Sequence, residues 1–391
     1  MKMPSTGMAE LAAAGVSVVD RTNPPRIAFV SHTADWVGPT NSLTLLLLRL
    51  RSRYDVKVLV PGTGDFTDRL REEGIDFRSF RQLDKWDLLE VRRELSQWGA
   101  DLVYANNTHS SSRIGFLASR LAGVPFVTHV RGMAWDQSWR RMGYLRFADG
   151  VVAVSGACGD SVRRFAGADK VVTVYNGIPQ ERVTAPVSDG AGRVRQELDA
   201  DAETVVIVSV SHVMPRKGQH LALDAFSKLA GAGTPCVYAM VGRTDRDPDY
   251  VRTLSARISR EEWGDRVRIL GFRRDVMDIL DAADVFLHTA VADPHPRSVI
   301  EAMARGLPVA AFAVDGVAET VVQDETGVLA TKGDVPGLTQ GLAALASDPE
   351  LRRRLGEAGR RRIEARFTDD ATAEGVARVI DNVLAGRGRP S

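Results

Sequence analysis

The chain has 391 residues, 44% hydrophobic and 26% charged, with a net charge of +1. This is the composition of a globular protein of one to three domains, two being the natural count. So even a balance excludes general attraction to nucleic acid or acidic membranes, although residues 24–184 carry roughly five more Lys and Arg than Asp and Glu, a lean toward an anionic partner.

Residues 1–23 read as a flexible leader, because the apolar part is weak and holds Glu10, unlike a signal peptide. No run approaches the roughly 18 apolar residues of a membrane span. Cys158 and Cys236 form no CxxC pair, which fits a reducing compartment and a cytoplasmic location.

From residue 26 onward, short β-rich runs alternate with helical patterns. Strands are predicted at 26–31, 56–61, 101–106, 125–130, 150–155 and 171–176, with helices at about 41–53, 65–74, 87–98, 110–122, 136–148 and 157–166. Residues 179–203 are rich in Pro, Gly, Asp and Ala and read as a linker, with room for one short helix. The rhythm resumes with strands at 204–211, 236–242, 266–270, 284–289, 308–313 and 327–330, and a helical tail over about 334–387. The fold class is therefore α/β. Two doubly wound parallel-sheet domains, 24–184 and 204–365, face across a cleft; 185–203 join them, and 366–391 form a C-terminal helix crossing back to the first. Ligands of such domains sit beyond the carboxyl ends of the strands.

Five loops could carry chemistry, and a sixth, with GxG spacing, is set aside. In "SHTADWVGPTNSLTLL" a strand, a loop with Gly38 and a capped helix make an anion-friendly turn. "VLVPGTGDFTDRL" has GxG spacing but lacks the third glycine of a dinucleotide fingerprint. "VTHVRGMAWDQSWRR" ends a strand with His129 and Arg131; a packed core histidine is the plainer alternative. "SVSHVMPRKGQHLALDAF" brings His212, Arg216 and Lys217 to the start of a helix at Gly218, which suits a phosphate or is a solvated basic turn. In "VADPHPRSVIEAMARGLPVAA", Asp293 and Glu301 stand eight apart. Glu301 either closes a capping box with Ser298 or accepts from vicinal hydroxyls, as of a ribose; Asp293 either caps a turn or binds. "AVDGVAETVVQDETGVLA" places Gly316 in a tight turn before Glu319. The seven histidines show no metal-ligand spacing.

The stretch 272–330, with Asp293, Glu301 and "EAMARGLPV", resembles the nucleotide-sugar domain of the retaining glycosyltransferases of family 4, whose architecture is GT-B. "SHVMPRKG", "YNGIP", "FVSHTADWVGPTNSLTLLL" and "GVPFVTHVRG" extend the likeness over about 26–387. The resemblance implies metal-independent, configuration-retaining transfer from a nucleoside diphosphate sugar, a UDP-sugar ahead of a GDP-sugar, with no cofactor. Glu301 would hold the ribose hydroxyls, Asp293 a donor-sugar hydroxyl, and Lys217 the departing diphosphate. Loop 315–317 with Gly316, and the amides around 296–298, would line sugar and phosphate, placing His295, Pro296, Arg297 and Ser298 at the donor. Gly38 would face the diphosphate from the other domain, and His129 or Arg131 the reacting carbon. The chain departs from the family in four places: His212 stands for Arg, Asp293 for Glu, and Pro296 and Pro39 for Gly. Arg216 or Arg297 would then supply the missing cation.

Two other readings stay open: a sugar-nucleotide epimerase or hydrolase, and a non-catalytic homologue that binds a sugar nucleotide. The expected acceptor is a glycan, a lipid-linked sugar or a small natural-product core. No nucleic acid and no transmembrane segment are expected. The segment 136–147, with Trp139, Arg140, Tyr144 and Arg146, could lie on the inner membrane face as a peripheral contact, or pack as an amphipathic helix on its own domain.

Overall fold

The structure, a computed structural model, describes residues 23–108 and 110–386. The expected leader lies, apart from residue 23, outside the described residues.

The first lobe is built on strands β1 (Arg26–Val30), β2 (Asp55–Pro61), β3 (Asp76–Phe80), β4 (Leu102–Ala105), β5 (Phe126–Val130), β6 (Gly150–Ala153) and β7 (Val171–Thr173). They form one parallel sheet in the order β3-β2-β1-β4-β5-β6-β7. The central strands β4, β5 and β6 are buried along their whole length. Helices cover both faces, so these strands read as continuous apolar runs rather than as alternating ones. Helices α1 (Gly38–Leu50) and α2 (Asp65–Glu72) pack on one face, and α3 (Leu88–Trp98), α4 (Ser110–Ala122) and α6 (Gly156–Ala166) on the other.

Two expectations in this lobe are corrected. Strand β3, DFRSF, was not foreseen; as an edge strand it is mostly exposed or half-buried and carries charge. The helix expected over 136–148 is a single turn, α5 (Trp139–Met142), followed by a 3-10 segment at Gly143–Phe147.

The second lobe repeats the plan with β8 (Val205–Val210), β9 (Cys236–Val241), β10 (Val267–Gly271), β11 (Val285–His288), β12 (Val309–Phe312) and β13 (Gly327–Ala330), parallel in the order β10-β9-β8-β11-β12-β13. Its helices are α9 (Gln219–Gly231), α10 (Pro248–Ile258), α11 (Val276–Ala282), α12 (Arg297–Ala304), the single turn α13 (Val317–Thr320), α14 (Val335–Ser347) and α15 (Pro349–Arg366). The segment between the lobes holds α7 (Gln180–Thr184) and α8 (Gly190–Glu197). Helix α8 is docked on α11: Arg193 bonds Asp275 and Asp278, and the Ser188 amide donates to Asp281. It is thus part of the second lobe's packing.

The chain crosses between lobes twice, near 174–178 and near 366–369. The crossings touch through a bridge between Ile178 and Thr368. At Gly177 a β-carbon would lie 2.0 Å from the Thr368 carbonyl oxygen, so only glycine fits this approach. Beyond it, α16 (Asp369–Gly386) lies against α1 of the first lobe, tied by Arg49 to Asp369 at 2.9 Å and by Tyr54 to Asp381 at 2.7 Å. Each sheet reverses its winding once, between β1 and β4 and between β8 and β11, and the strand ends at these two points face each other.

Candidate active site

Between the lobes lies a cavity of about 570 Å³. The first lobe lines it with Gly38, Pro39, Ser42, Arg131 and Val154, the second with Ser211, His212, Arg216, Lys217 and residues 292–298. These are the strand-end loops where ligands of such sheets bind.

The loop after β8 ends in a 3-10 turn, Pro215–Lys217, and then Gly218, which opens α9 with φ +71°. A β-carbon at Gly218 would meet the Thr289 carbonyl oxygen at 2.0 Å, so conformation and space both demand glycine. The close approach lets the loop bind its neighbour: Thr289 Oγ1 donates to the Lys217 carbonyl (3.1 Å), and Arg216 donates to the Ala292 carbonyl (3.1 Å). Gln219 holds the same loop from inside, donating to the His212 carbonyl (2.9 Å) and to Ser211 Oγ (3.1 Å).

Lys217 Nζ stands 2.5 Å from Asp293 Oδ2, both side chains largely buried. His288 Nε2, at the end of β11, is 3.4 Å from the same oxygen. Burial alone would push the Asp293 carboxyl up, but His288 and Lys217 hold it well below the usual carboxylate range. The Asp293 amide donates to Asp315 Oδ2 (2.9 Å), and the Gly316 amide to the Asp293 carbonyl (3.3 Å). Gly316 packs against the Pro294 carbonyl with no room for a side chain. It supports the loop from behind and does not line the cavity.

Helix α12 begins at Arg297 with Pro296 as its cap, pointing the unpaired N–H groups of a helix start at the cavity wall. This overturns the capping box: Ser298 is the second helical residue and makes no cap bond. Glu301 instead lies 3.5 Å from both Arg297 and Arg182, and does not line the cavity. Arg297 reaches across to Ser42 Oγ (3.3 Å) and the Gly177 carbonyl (3.4 Å), so the expected donor-side cation bridges the lobes. His295 is enclosed, with Asn176 on its backbone and ring and Tyr175 against its face. Burial, the largest influence, lowers its pKa to about 3, which keeps the ring neutral. His212 is half-buried; burial first, then Arg246, Lys217 and Arg243, hold it below its ordinary 6.5.

From the first lobe, Arg131 reaches the cavity and His129 does not. The His129 ring is fully buried, its Nδ1 taking hydrogen bonds from the Tyr104 hydroxyl (2.9 Å) and from Arg131 (3.1 Å). The reason is that His129 is still inside β5, paired with Val152 of β6, whereas Arg131 lies one residue past the strand. Arg131 is held by Asn106 (2.9 Å) and Asn176 (2.8 Å). Its pKa, lowered to about 10 chiefly by burial, leaves it protonated at neutral pH. Asn106, Asn176 and His288 are not singled out by the sequence, and Asp315 only as part of loop 315–317. Their one signal is position, since three follow a strand within a few residues and His288 closes one.

Residues 192–362 match the family model "Glycosyl transferases group 1", and residues 37–182 match "Glycosyltransferase Family 4". The lipopolysaccharide core biosynthesis glycosyltransferase LpsE of Rhizobium meliloti is 27% identical over 195 residues, 49% of this chain and 55% of its own length. The α-maltose-1-phosphate synthase of Mycolicibacterium smegmatis is 27% identical over 326 residues, 74% of this chain and 84% of its own. The crystal structure of Anabaena Alr3699/HepE in complex with UDP superposes with a TM-score of 0.82 at 25% identity, covering 91% of this chain and 100% of that one. The two family models lie end to end over the two lobes, and the chain belongs to the group 1, family 4 glycosyltransferases of GT-B architecture.

Proposed function

We propose that the chain transfers a sugar from a nucleoside diphosphate donor, a UDP-sugar ahead of a GDP-sugar, to a hydroxyl acceptor, with retained configuration and no resident metal. The observation that carries this is the contact of Lys217 with Asp293 beside the start of α12, inside the interlobe cavity. Such transfer loads charge onto the departing diphosphate. A fixed ammonium, Arg216 and a helix N-terminus aimed at one place stabilise that charge more in the transition state than in the ground state. Asp293, kept ionised, accepts from a hydroxyl of the donor sugar. Glu301 accepts from the ribose once Arg297 and Arg182 yield it. Arg131 is a cation and would oppose positive charge on the reacting carbon, so its part is on the phosphate side. Likeness to the HepE complexes with UDP and with UDP-glucose supports the donor class.

The test is calorimetric titration with UDP-, GDP- and dTDP-sugars, followed by NMR of the product's anomeric centre. Saturable binding of one donor and a product of unchanged configuration are expected. Silence across the panel, or an inverted product, would refute the reading. Binding with no turnover, or with hydrolysis alone, would favour a non-catalytic homologue, as Pro39 and Pro296 each remove an N–H that could meet the donor.

For the acceptor, the first lobe exposes Leu117, Leu121, Trp135, Trp139 and Phe147, and residues 110–170 hold nine Lys and Arg against four Asp and no Glu. This mixture favours an acceptor carried at a lipid surface on the inner membrane face, reached by peripheral contact. No helix among the described residues is long and apolar enough to cross a membrane. Sedimentation with anionic liposomes tests the contact; a protein left wholly in the supernatant would favour a small free acceptor.

A further inference from the structure

Helix α6 of the first lobe has its N-terminus capped by two different lobes. Its own Ser155 Oγ accepts from the Cys158 amide (3.1 Å), as an N-cap serine does. The two amides before it are taken by a carboxylate from the second lobe. Glu319 Oε2 accepts from the Gly156 amide (2.8 Å) and Oε1 from the Ala157 amide (2.9 Å). Residue 156 is a glycine, and a β-carbon there would stand 3.2 Å from Glu319 Oε2.

The carboxylate is held from both sides. Tyr175, on the first chain crossing, donates its hydroxyl to Glu319 Oε2 (2.9 Å), and its ring packs on Phe367 at the second crossing and on His295 of the cavity. Arg362 of α15 donates to the backbone carbonyls of Glu319 and Thr320 (2.9 and 2.8 Å). Glu319 is four residues beyond Asp315, whose carboxylate holds the Asp293 amide. A rigid path therefore runs from the first lobe's α6, through Glu319 and its short helix, to the loop that presents Asp293.

Glu319 is only half-buried, and the N-terminal amides of a helix hydrate readily. If the lobes separate, water can take both sides of this contact, so it can form and break as no core contact could. A carboxylate at a helix N-terminus also gains from the helix dipole when it forms.

We propose that Glu319 is a positioning residue that latches the second lobe onto α6 and so sets the population of closed, donor-competent enzyme. The role rests on the donor-site reading above, because what the latch positions is the Asp293 loop. A donor that requires closure binds with its intrinsic Kd divided by the closed fraction, so opening the latch weakens capture without touching a donor contact.

Three variants test it. Glu319→Gln keeps size but puts an NH2 against an amide N–H. Gly156→Pro removes the partner N–H at the first helical position, where proline is tolerated. The third combines both. UDP is the probe, read by calorimetry, with small-angle scattering of the unliganded protein beside it. Each single variant should raise the Kd for UDP roughly tenfold and enlarge the radius of gyration, and the double variant should be no worse than the single ones. Unchanged scattering with unchanged UDP affinity in both singles overturns the latch. So do losses that add in the double variant, or a fall in melting temperature with unchanged affinity. If the parent protein itself fails to bind UDP, the donor reading fails, and the latch is then judged on scattering alone.

Discussion

Replacing Lys217 by Ala is the most informative single change. The structure has Nζ 2.5 Å from Asp293 Oδ2, with 15% and 9% of the two side chains exposed. At an effective dielectric constant of about 20, this contact has a gross attraction of about 7 kcal/mol. Most of that is offset by desolvation, so breaking such a pair from one side costs about 3–5 kcal/mol of stability, since the partner charge stays buried. Transition-state stabilisation is a separate quantity: removing one preorganised donor at a developing anion costs about 3–4 kcal/mol, or 10² to 10³ in rate. The two can be told apart. Lys217→Ala with Asp293→Asn removes both charges and should recover most of the lost melting temperature but none of the activity. UDP release from the donor chosen by the binding screen, measured beside thermal denaturation, gives both readings. A Lys217→Ala protein with kcat/KM within about threefold of the parent would remove the diphosphate from this corner, because a donor contributing as argued cannot be that dispensable.

His212 should make donor binding pH-dependent. In the unliganded site burial and the neighbouring cations hold it below 6.5, hence neutral at pH 7. A bound diphosphate favours the charged ring, so binding takes up a proton and affinity rises as pH falls through the pKa of the complex, then levels below that of the free protein. Calorimetry with a UDP-sugar between pH 8 and 5.5 should show a gain of about tenfold for each unit by which binding raises that pKa, absent in His212→Gln. Gly218→Ala adds a β-carbon 2.0 Å from the Thr289 oxygen at φ +71°. It should cost about 2–3 kcal/mol or more in chemical denaturation and weaken the donor site with it; a neutral outcome would mean the loops are not in contact. Asp369→Ala strips Arg49 of its buried partner and should destabilise the seat of α16 on the first lobe by about 1–3 kcal/mol, seen as faster hydrogen exchange in α1 and α16.

The alternation of strands and helices was readable because parallel strands covered on both faces are apolar throughout, a pattern few other arrangements impose. The same logic explains the miss at β3, an edge strand whose two phenylalanines are interspersed with exposed or half-buried polar residues rather than forming a continuous apolar run. Residues 136–148 carry helical spacing, yet Trp139, still largely exposed, meets Phe165 edge to face and the chain tightens into a 3-10 segment. At the site, residues grouped within one loop were legible and residues meeting from distant segments were not. His129 and Arg131 share one face of an extended chain, and only the point where β5 ends decides which of them reaches the cleft. Glu301 pairs with Arg182, 119 positions away, and Glu319 with amides at 156 and 157; spacing holds no trace of either.

These long-range pairs suggest how the site tolerates its own charge. Lys217 is matched by Asp293, and Arg297 by Glu301 with Arg182 alongside. A donor entering such a site exchanges ion pairs rather than filling a field of bare cations. On the proposed function, its diphosphate would compete with Asp293 for Lys217, while its hydroxyls would repay Asp293 and Glu301 with new donors. The net gain on binding is accordingly smaller than the cation count implies, and the gain in the transition state, when the diphosphate carries more charge than either carboxylate, is larger. An enzyme built this way holds its substrate with moderate affinity and reserves its strongest electrostatics for the step that separates sugar from diphosphate. Neutralising Asp293 alone should therefore tighten the grip on UDP while slowing transfer, a divergence of Kd and kcat that a site of unpaired cations would not produce.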